Sequence, residues 1–115
     1  MMLEPILLRA LEEATGCPAY MEQPEDKPER YFVLERTGGG ERGAEMRTAT
    51  VAVQSYGPTM LDAAALNEQV LDLMREIQYR ENSIISCEVN STYNFTDTRT
   101  KRYRFQTVID LVYFA

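Results

Sequence analysis

The feature that most constrains this fold is one long helical segment, "GPTMLDAAALNEQVLDLMREIQYR", from Gly57 to Arg80. Thr59 is placed to cap its N-terminus, because a threonine hydroxyl accepts a hydrogen bond from a free backbone N–H there. Apolar residues recur along the segment at the spacing of one helix face: Ala63, Leu66, Val70, Leu73 and Ile77. A helix of about twenty residues is roughly 30 Å long. We therefore expect it to cover one whole face of a small sheet.

Two pairs of strand-like segments flank this helix. The first pair is "YFVLERT" and "MRTATVAVQSY", and the second is "SIISCEVNSTYNF" and "KRYRFQTVIDLVYF", joined by "TDTRT". A shorter amphipathic helix, "EPILLRALEEATG", comes first, and Gly16 offers it a left-handed stop. The prolines of "CPAYMEQPEDKPER" indicate an extended surface connector. The order α-β-β-α-β-β predicts one α+β domain over residues 1–115, with an antiparallel sheet packed against the helices.

Period-two alternation assigns the faces of these strands. The core face is predicted to carry Ala49, Val51 and Val53 from the second strand, Ile85, Cys87, Val89 and Tyr93 from the third, and Tyr103, Phe105, Ile109, Leu111 and Tyr113 from the last. The other face of the last strand begins with Arg102, Arg104 and Gln106 but continues with Val108, Asp110, Val112 and Phe114. A solvated sheet face stays polar, so these apolar residues predict a cover, either the first helix or another subunit.

The stretch "ERTGGGERGAEM", from Glu35 to Met46, holds four of the six glycines. A phosphate-binding loop is not indicated, because neither Lys nor Ser/Thr follows Gly43 and the spacing does not fit a dinucleotide motif. Glycines that admit positive φ instead favour a flexible loop of some ten residues between two antiparallel strands. We expect residues 37–45 to be mobile in the free chain and to reach a partner.

The charge balance argues against direct binding to nucleic acid. The net charge is −6 and the isoelectric point is about 4.7, whereas phosphate neutralisation requires a concentrated basic surface. The one basic run with aromatics, "RTKRYRF" from Arg99, is interpreted as a strand with Tyr103 and Phe105 inward and Arg102 and Arg104 outward. Those arginines are available to pair with acidic groups of a protein neighbour.

The sequence offers little catalytic chemistry. It contains no histidine, so a histidine general base is excluded and zinc would depend on two cysteines and carboxylates. Cys17 and Cys87 are expected to be reduced thiols. A metal-dependent hydrolase remains the enzymatic alternative, although none of its possible ligands has a recognised spacing: Glu35, Glu45, Glu88, Asp97 and Asp110. We predict no enzyme, cofactor or metal, and no membrane segment, since charges interrupt the first twenty residues.

Across nearly its whole length the chain resembles the tail completion or tail terminator proteins of long-tailed bacteriophages, in the branch found in phages and prophages of Gram-positive bacteria. The residues that carry the resemblance follow an amphipathic first helix. They are "CPAYMEQPEDKPERYFVLERTGGGE", "TATVAVQSYGPTMLDAAALNEQVLDLM" and "ISCEVNSTYNFTDTRTKRYRFQTVIDLVYF", and the most telling pieces are "ERTGGG", "VAVQSYGPTMLDAAALNE" and "NFTDTRTKRYRFQ". None of these is a catalytic motif.

The resemblance implies a structural virion protein, assembled in the host cytoplasm and located at the head-proximal end of the tail. Such a subunit joins a ring, generally of six, that ends tube polymerisation and offers a docking surface to the neck. Its implied partners are copies of itself, the major tail tube protein and a head-completion protein, while DNA passes through the lumen. A neighbouring neck or minor capsid protein is the alternative. The candidate assembly interface comprises Gly38, Gly39, Gly40, Glu41, Arg42, Arg102, Arg104, Val112 and Phe114.

Overall fold

The structure, a computed structural model, describes residues 2–115. Its helices and strands are α1 (Leu3–Thr15), β1 (Ala19–Tyr20), β2 (Tyr31–Arg42), β3 (Met46–Gly57), α2 (Met60–Arg80), β4 (Ile84–Asn94) and β5 (Tyr103–Phe114). The predicted order of two helices and four long strands is confirmed. The short strand β1, inside the proline-rich connector, was not predicted. Among residues 2–115, no helix combines the length and the apolar character needed to cross a membrane.

The five strands form one mixed sheet in the order β1-β2-β3-β5-β4. The four long strands pair antiparallel, as predicted. Only β1 runs parallel to its neighbour, pairing with β2 at Phe32 and Val33. The central strands β3 and β5 are in register over their whole length, from Met46 opposite Phe114 to Gly57 opposite Tyr103.

Both helices pack on the same face of the sheet. Leu3, Leu7 and Leu11 of α1 join the apolar stripe of α2 and one face of each long strand in a single buried cluster. The predicted core faces of β3 and β5 are confirmed at the residues that this cluster contains: Ala49, Val51, Val53, Ile109, Leu111 and Tyr113. The chain is therefore a single compact α+β domain of two layers, in which burial of about twenty side chains supplies the main driving force.

Local signals fix the start of α2. The Thr59 hydroxyl accepts a hydrogen bond from the backbone N–H of Asp62 at 3.1 Å, so the predicted cap is confirmed. Just before it, a Cβ added to Gly57 would lie 2.7 Å from the backbone nitrogen of Ala63. Glycine is thus needed for β3 to pass this close to the helix that follows it.

The predicted face of β4 is confirmed at Cys87 and Val89, which lie opposite core-facing residues of β5, but it is wrong at Ile85 and Tyr93. Register shifts occur between Ile84 and Ser86 and between Val89 and Ser91, and each extra residue in a bulge reverses the alternation beyond it. As a result Ile84, which is 2% exposed, fills the core position that was assigned to Ile85. Tyr93 lies opposite Gln106 on the other face of the sheet.

The predicted glycine loop is also wrong. β2 continues through Gly38, Gly39 and Gly40 to Arg42, and these residues pair with β3 from Thr50 to Met46. Only residues 43–45 form the turn, where Gly43 has a φ of 74°. The error arises because backbone hydrogen bonds to a neighbouring strand can hold glycines extended even though glycine has low strand propensity. The stretch is a long hairpin and not a flexible loop.

Candidate functional site

One face of the sheet carries no helix, and we call it the open face. Val112 lies on it, half-buried, beside Thr48 on β3. Because α1 packs with α2 on the opposite face, the alternative in which the first helix covers Val112 is wrong. Any cover for this part of the sheet must come from outside the residues that the structure describes.

A chain of hydrogen-bonded side chains, here called the polar ladder, crosses the half of the open face nearest α2's start. Tyr31 donates to the Oε1 of Gln23 at 3.0 Å, and Gln23 donates to the hydroxyl of Tyr56 at 2.7 Å. From Tyr56 the ladder continues across the sheet. Tyr56 donates to Gln54 on β3, Gln54 donates to Gln106 on β5, and Gln106 donates to the hydroxyl of Tyr93 on β4. These bonds satisfy polar groups that would otherwise be costly to bury.

The polar ladder makes half of the open face self-covering. Gln54 and Gln106 are each only 8% exposed although no helix lies above them. The Tyr31 and Tyr56 rings stack with centroids 4.6 Å apart. Burial, and then the neighbouring Tyr56, raise the pKa of Tyr31, while Arg102 and Arg104 oppose that shift. The ladder residues on β3 and β5 are therefore internal structure, whereas Tyr93 at the β4 end of the ladder remains 41% exposed.

Arg104 belongs to this internal structure. Its guanidinium carbon lies 4.3 Å from the centre of the Phe95 ring and 5.9 Å from that of Tyr56, within the range of a cation–π contact. It also donates to the Tyr56 hydroxyl at 3.0 Å and to the backbone carbonyl of Phe95. Arg104 thus fixes the turn before β5, and its cation is already engaged within the chain.

Arg102 lies beside the same end of the sheet. It forms an isolated bridge with Asp97 across the β4–β5 connection. Its side chain lines a cleft of about 240 Å³ together with Lys27, Lys101 and Tyr103. The pKa of the Asp97 carboxyl is lowered, chiefly because it accepts a hydrogen bond from the backbone N–H of Arg99. Asp97 therefore acts as a turn residue.

The opposite end of the sheet, the hairpin end, consists of the β2–β3 tip and the last residues of β5. Here Met46 and Phe114 lie opposite each other and are 37% and 47% exposed. Val112 borders a shallow depression of about 360 Å³ whose floor and rim also include Thr48, Thr50 and Asp110. Apolar side chains exposed together at one end of a small domain indicate a contact surface.

The structure divides the predicted interface residues between the two ends. Gly38, Gly39, Gly40, Glu41, Arg42, Val112 and Phe114 lie together at the hairpin end. Arg102 and Arg104 lie at the far end of β5. At about 3.3 Å per residue, the eight residue steps from Arg104 to Val112 separate the nearest members of the two groups on β5 by roughly 26 Å. They cannot form one continuous patch.

The carboxylates considered for a hydrolase do not form a metal site. Within residues 2–115, no group of three or more His, Cys, Asp or Glu side chains is placed to hold a metal ion. Asp110 is occupied structurally, since it accepts hydrogen bonds from the Thr50 hydroxyl at 2.8 Å and the Asn90 amide at 3.0 Å. Cys17 and Cys87 are both free thiols, as predicted.

The polar ladder is the arrangement that sequence reasoning missed. Its members are scattered from Gln23 to Gln106. Three of them, Gln54, Tyr56 and Gln106, lie at alternating strand positions, and the sequence shows only that these positions face away from the core. The one available signal was an excess of Tyr and Gln on that face, but the pairing follows from strand order, and strand order is tertiary information. Comparison with protein-family models and with curated proteins finds no match to this chain.

Proposed function

We propose that this chain is a structural subunit of a long-tailed phage, forming a ring at the head-proximal end of the tail tube. The ring, which generally has six copies in the proteins that this chain resembles, ends tube polymerisation and provides the docking surface for the neck. The resemblance of "ERTGGG", "VAVQSYGPTMLDAAALNE" and "NFTDTRTKRYRFQ" to tail terminator proteins supports this function. The open face also supports it, because half of that face is covered neither by a helix nor by the polar ladder.

The observation that carries the proposal is the hairpin end. Exposed Met46 and Phe114 lie beside half-buried Val112 at one end of the sheet of a molecule that measures 44 × 25 × 25 Å. A subunit that joins a ring must bury a surface on each neighbour. A sheet end with exposed apolar side chains provides such a surface without destabilising the separate monomer.

The acidic balance is compatible with a channel for DNA. With a net charge of −6, the ring repels the phosphate backbone on average, so DNA passes through the lumen without binding to it. The basic side chains Lys101 and Arg102 lie at the end opposite the hairpin. There they are available to acidic groups of a neighbouring protein.

The test is deletion of the coding sequence in a phage or prophage that encodes this chain. The proposal predicts overlong tails that lack heads, and restoration of normal tails by the chain supplied in trans. Gold labelling of a tagged copy should mark the head-proximal end of the tail. Tails of normal length, with the label on the head or neck, would favour the head-completion alternative. Unchanged particles would reject both functions.

A further inference from the structure

Most of strand β2 is an unpaired edge. β1 covers β2 only at Phe32 and Val33, and no other strand in residues 2–115 pairs with its outer side. The free run extends from Leu34 to Arg42, and its residues from Glu35 onward are all exposed. An open edge of this length presents backbone N–H and C=O groups that can pair with another strand.

Two glycines on this edge are not required by the monomer. A Cβ at Gly39 would lie 2.6 Å from the carbonyl oxygen of Thr48, so glycine is needed there. At Gly38 and Gly40, however, the nearest atoms to an added Cβ are 3.8 and 3.6 Å away, which is ordinary contact. Glycine inside a strand has an entropic cost and often marks the close approach of another backbone. At these glycines the edge therefore has no side chains that would obstruct a second strand lying beside it.

The charges on either side of these glycines are complementary to those of an antiparallel copy of the same strand. Glu35 and Arg36 precede them, and Glu41 and Arg42 follow in the same order of sign. The register shift between Arg36 and Gly38 lets Gly38 take the place opposite Thr50. If a second β2 lies antiparallel with Gly39 opposite Gly39, that bulge brings Arg36 opposite Glu41 and Glu35 opposite Arg42, each pair on one face of the sheet.

The charges needed for this pairing are partly free in the monomer. Glu35 and Arg42 form no ion pair within residues 2–115. Glu41 has only a long contact of 3.9 Å with Arg47, and both groups are largely exposed. Arg36 already pairs with Glu4 at 3.0 Å, so in a dimer its guanidinium would be shared between Glu4 and Glu41 of the second copy. Glu35 and Arg42 therefore provide the new attraction.

We propose that β2 is a self-recognition edge, at which two copies of this chain pair antiparallel about a two-fold axis at Gly39. The pairing run ends at Arg42, where the turn begins, and at Glu35, just short of the part covered by β1. It joins the two sheets into one continuous sheet. The proposal does not depend on the tail function, because it uses only the edge, its glycines and its charges.

The contact is small, so the dimer is expected to be weak and to exchange rapidly. Opposite charges directly across an antiparallel pair attract, and like charges repel. Reversing one member of the Glu35–Arg42 pair therefore replaces two attractions in the dimer with two repulsions, because the two-fold axis repeats each contact. Reversing both members restores attraction at both places.

The experiment is sedimentation equilibrium of the full chain from about 10 µM to 1 mM, the range expected for a small interface. The unmodified chain should dimerise reversibly. Glu35→Arg and Arg42→Glu should each weaken dimerisation by about fivefold or more, and the double variant should return to near the original affinity. Neither residue is buried or ion-paired within the described chain, so folding, followed by circular dichroism, should not change.

Glu25→Arg and Lys27→Glu, both on the exposed connector, are matched charge reversals away from the edge, and neither residue has an ion pair within residues 2–115. Both should leave dimerisation nearly unchanged. A chain that stays monomeric to 1 mM would overturn the proposal. So would single reversals that leave the dimer intact, or a double variant that remains as weak as the singles.

Discussion

At the scale of single residues, the stability of this chain depends on a few side chains that satisfy backbone or buried polar groups. Thr59 caps α2, Arg104 holds the turn before β5, and Gln54 and Gln106 bond to each other at 3.0 Å across the central strands. One buried polar atom lacks a partner in residues 2–115, the hydroxyl of Ser55. These residues act on stability and none of them implies a reaction.

Thr59→Ala should lower the free energy of unfolding by about 0.5–2 kcal/mol, because it leaves the N–H of Asp62 without its cap. The Thr59 hydroxyl, followed by Arg30, lowers the pKa of the Asp62 carboxyl, so the substitution should also move that pKa up toward its ordinary value. Urea denaturation and NMR titration measure the two effects. Thr59→Ser, which keeps the hydroxyl, is the control and should behave like the parent.

Cys87 should make the protein less stable in alkaline solution. Burial, with smaller contributions from Asp110 and Glu88, raises the pKa of the Cys87 thiol from an ordinary 9.0 to about 12. Between these values the unfolded chain has lost the proton that the folded chain retains, so stability falls as pH rises. The slope is about 1.4 kcal/mol per pH unit at most. The free energy of unfolding, measured from pH 8 to 11, should fall less steeply with pH in Cys87→Ala than in the parent. Equal slopes would show that the Cys87 thiol is not the cause.

At the scale of elements, the β2–β3 hairpin differs most from what its composition suggests. Gly38 to Arg42 are strand residues in register with Thr50 to Met46, although the run "GGG" has low strand propensity. Arg36 links the same hairpin to α1 through Glu4 at 3.0 Å and donates to the Tyr113 hydroxyl at 3.1 Å. The hairpin is therefore tied to both layers at its base, and at its tip the carbonyl oxygen of Glu45 accepts a hydrogen bond from the backbone N–H of Ala115 at 2.9 Å.

Gly39→Ala should destabilise the hairpin, whereas Gly38→Ala and Gly40→Ala should not. A methyl group at Gly39 would press on the carbonyl oxygen of Thr48, and the other two sites have room. We expect a loss of about 0.5–3 kcal/mol for Gly39→Ala, against a change within about 1 kcal/mol for the other two. Denaturation and amide hydrogen exchange of residues 46–50 measure this. Equal effects at all three positions would show that contact with Thr48 is not the reason for glycine.

At the scale of the whole molecule, the fold is one-sided. Both helices cover one face of the sheet, while the polar ladder covers half of the other. The remaining half, at the hairpin end, keeps Val112 half-buried and Phe114 exposed. Whatever binds this surface must come from another molecule, or from residues that the structure does not describe, so changes there should affect assembly before they affect folding.

Val112→Arg and Leu111→Arg form a matched pair on adjacent residues of β5. Val112 faces the open side, so its variant should keep its circular dichroism and a Tm within a few degrees of the parent. Under the proposed tail function, the same variant should fail to end tails. Leu111 is 1% exposed in the core, and an unpaired charge there should cost about 4 kcal/mol or more and unfold the chain. If Val112→Arg unfolds as well, Val112 belongs to the monomer core and the interface assignment is wrong.

The sequence by itself determined the elements with strong local periodicity. The apolar stripe and cap of α2, the first helix with its stop at Gly16, and the alternation of β3 and β5 all predicted what the structure contains. These signals are local, because each depends on residues within a turn or two along the chain. The α+β class followed from their order alone.

Only the tertiary structure decided the sheet order and the bulges of β4, since each depends on pairing between strands. The extended state of Gly38–Gly40 likewise depends on pairing with Thr48–Thr50 of β3, eight to twelve residues further along the chain. The polar ladder depends on the same information, because Gln54 meets Gln106 only when β3 lies beside β5. Strand pairing also explains why the residues of the candidate interface lie at two separate ends of the sheet. Residues that are near in sequence, such as Arg104 and Val112, lie toward opposite ends of one strand, whereas Arg42 and Phe114 lie toward the same end because β3 pairs with both β2 and β5.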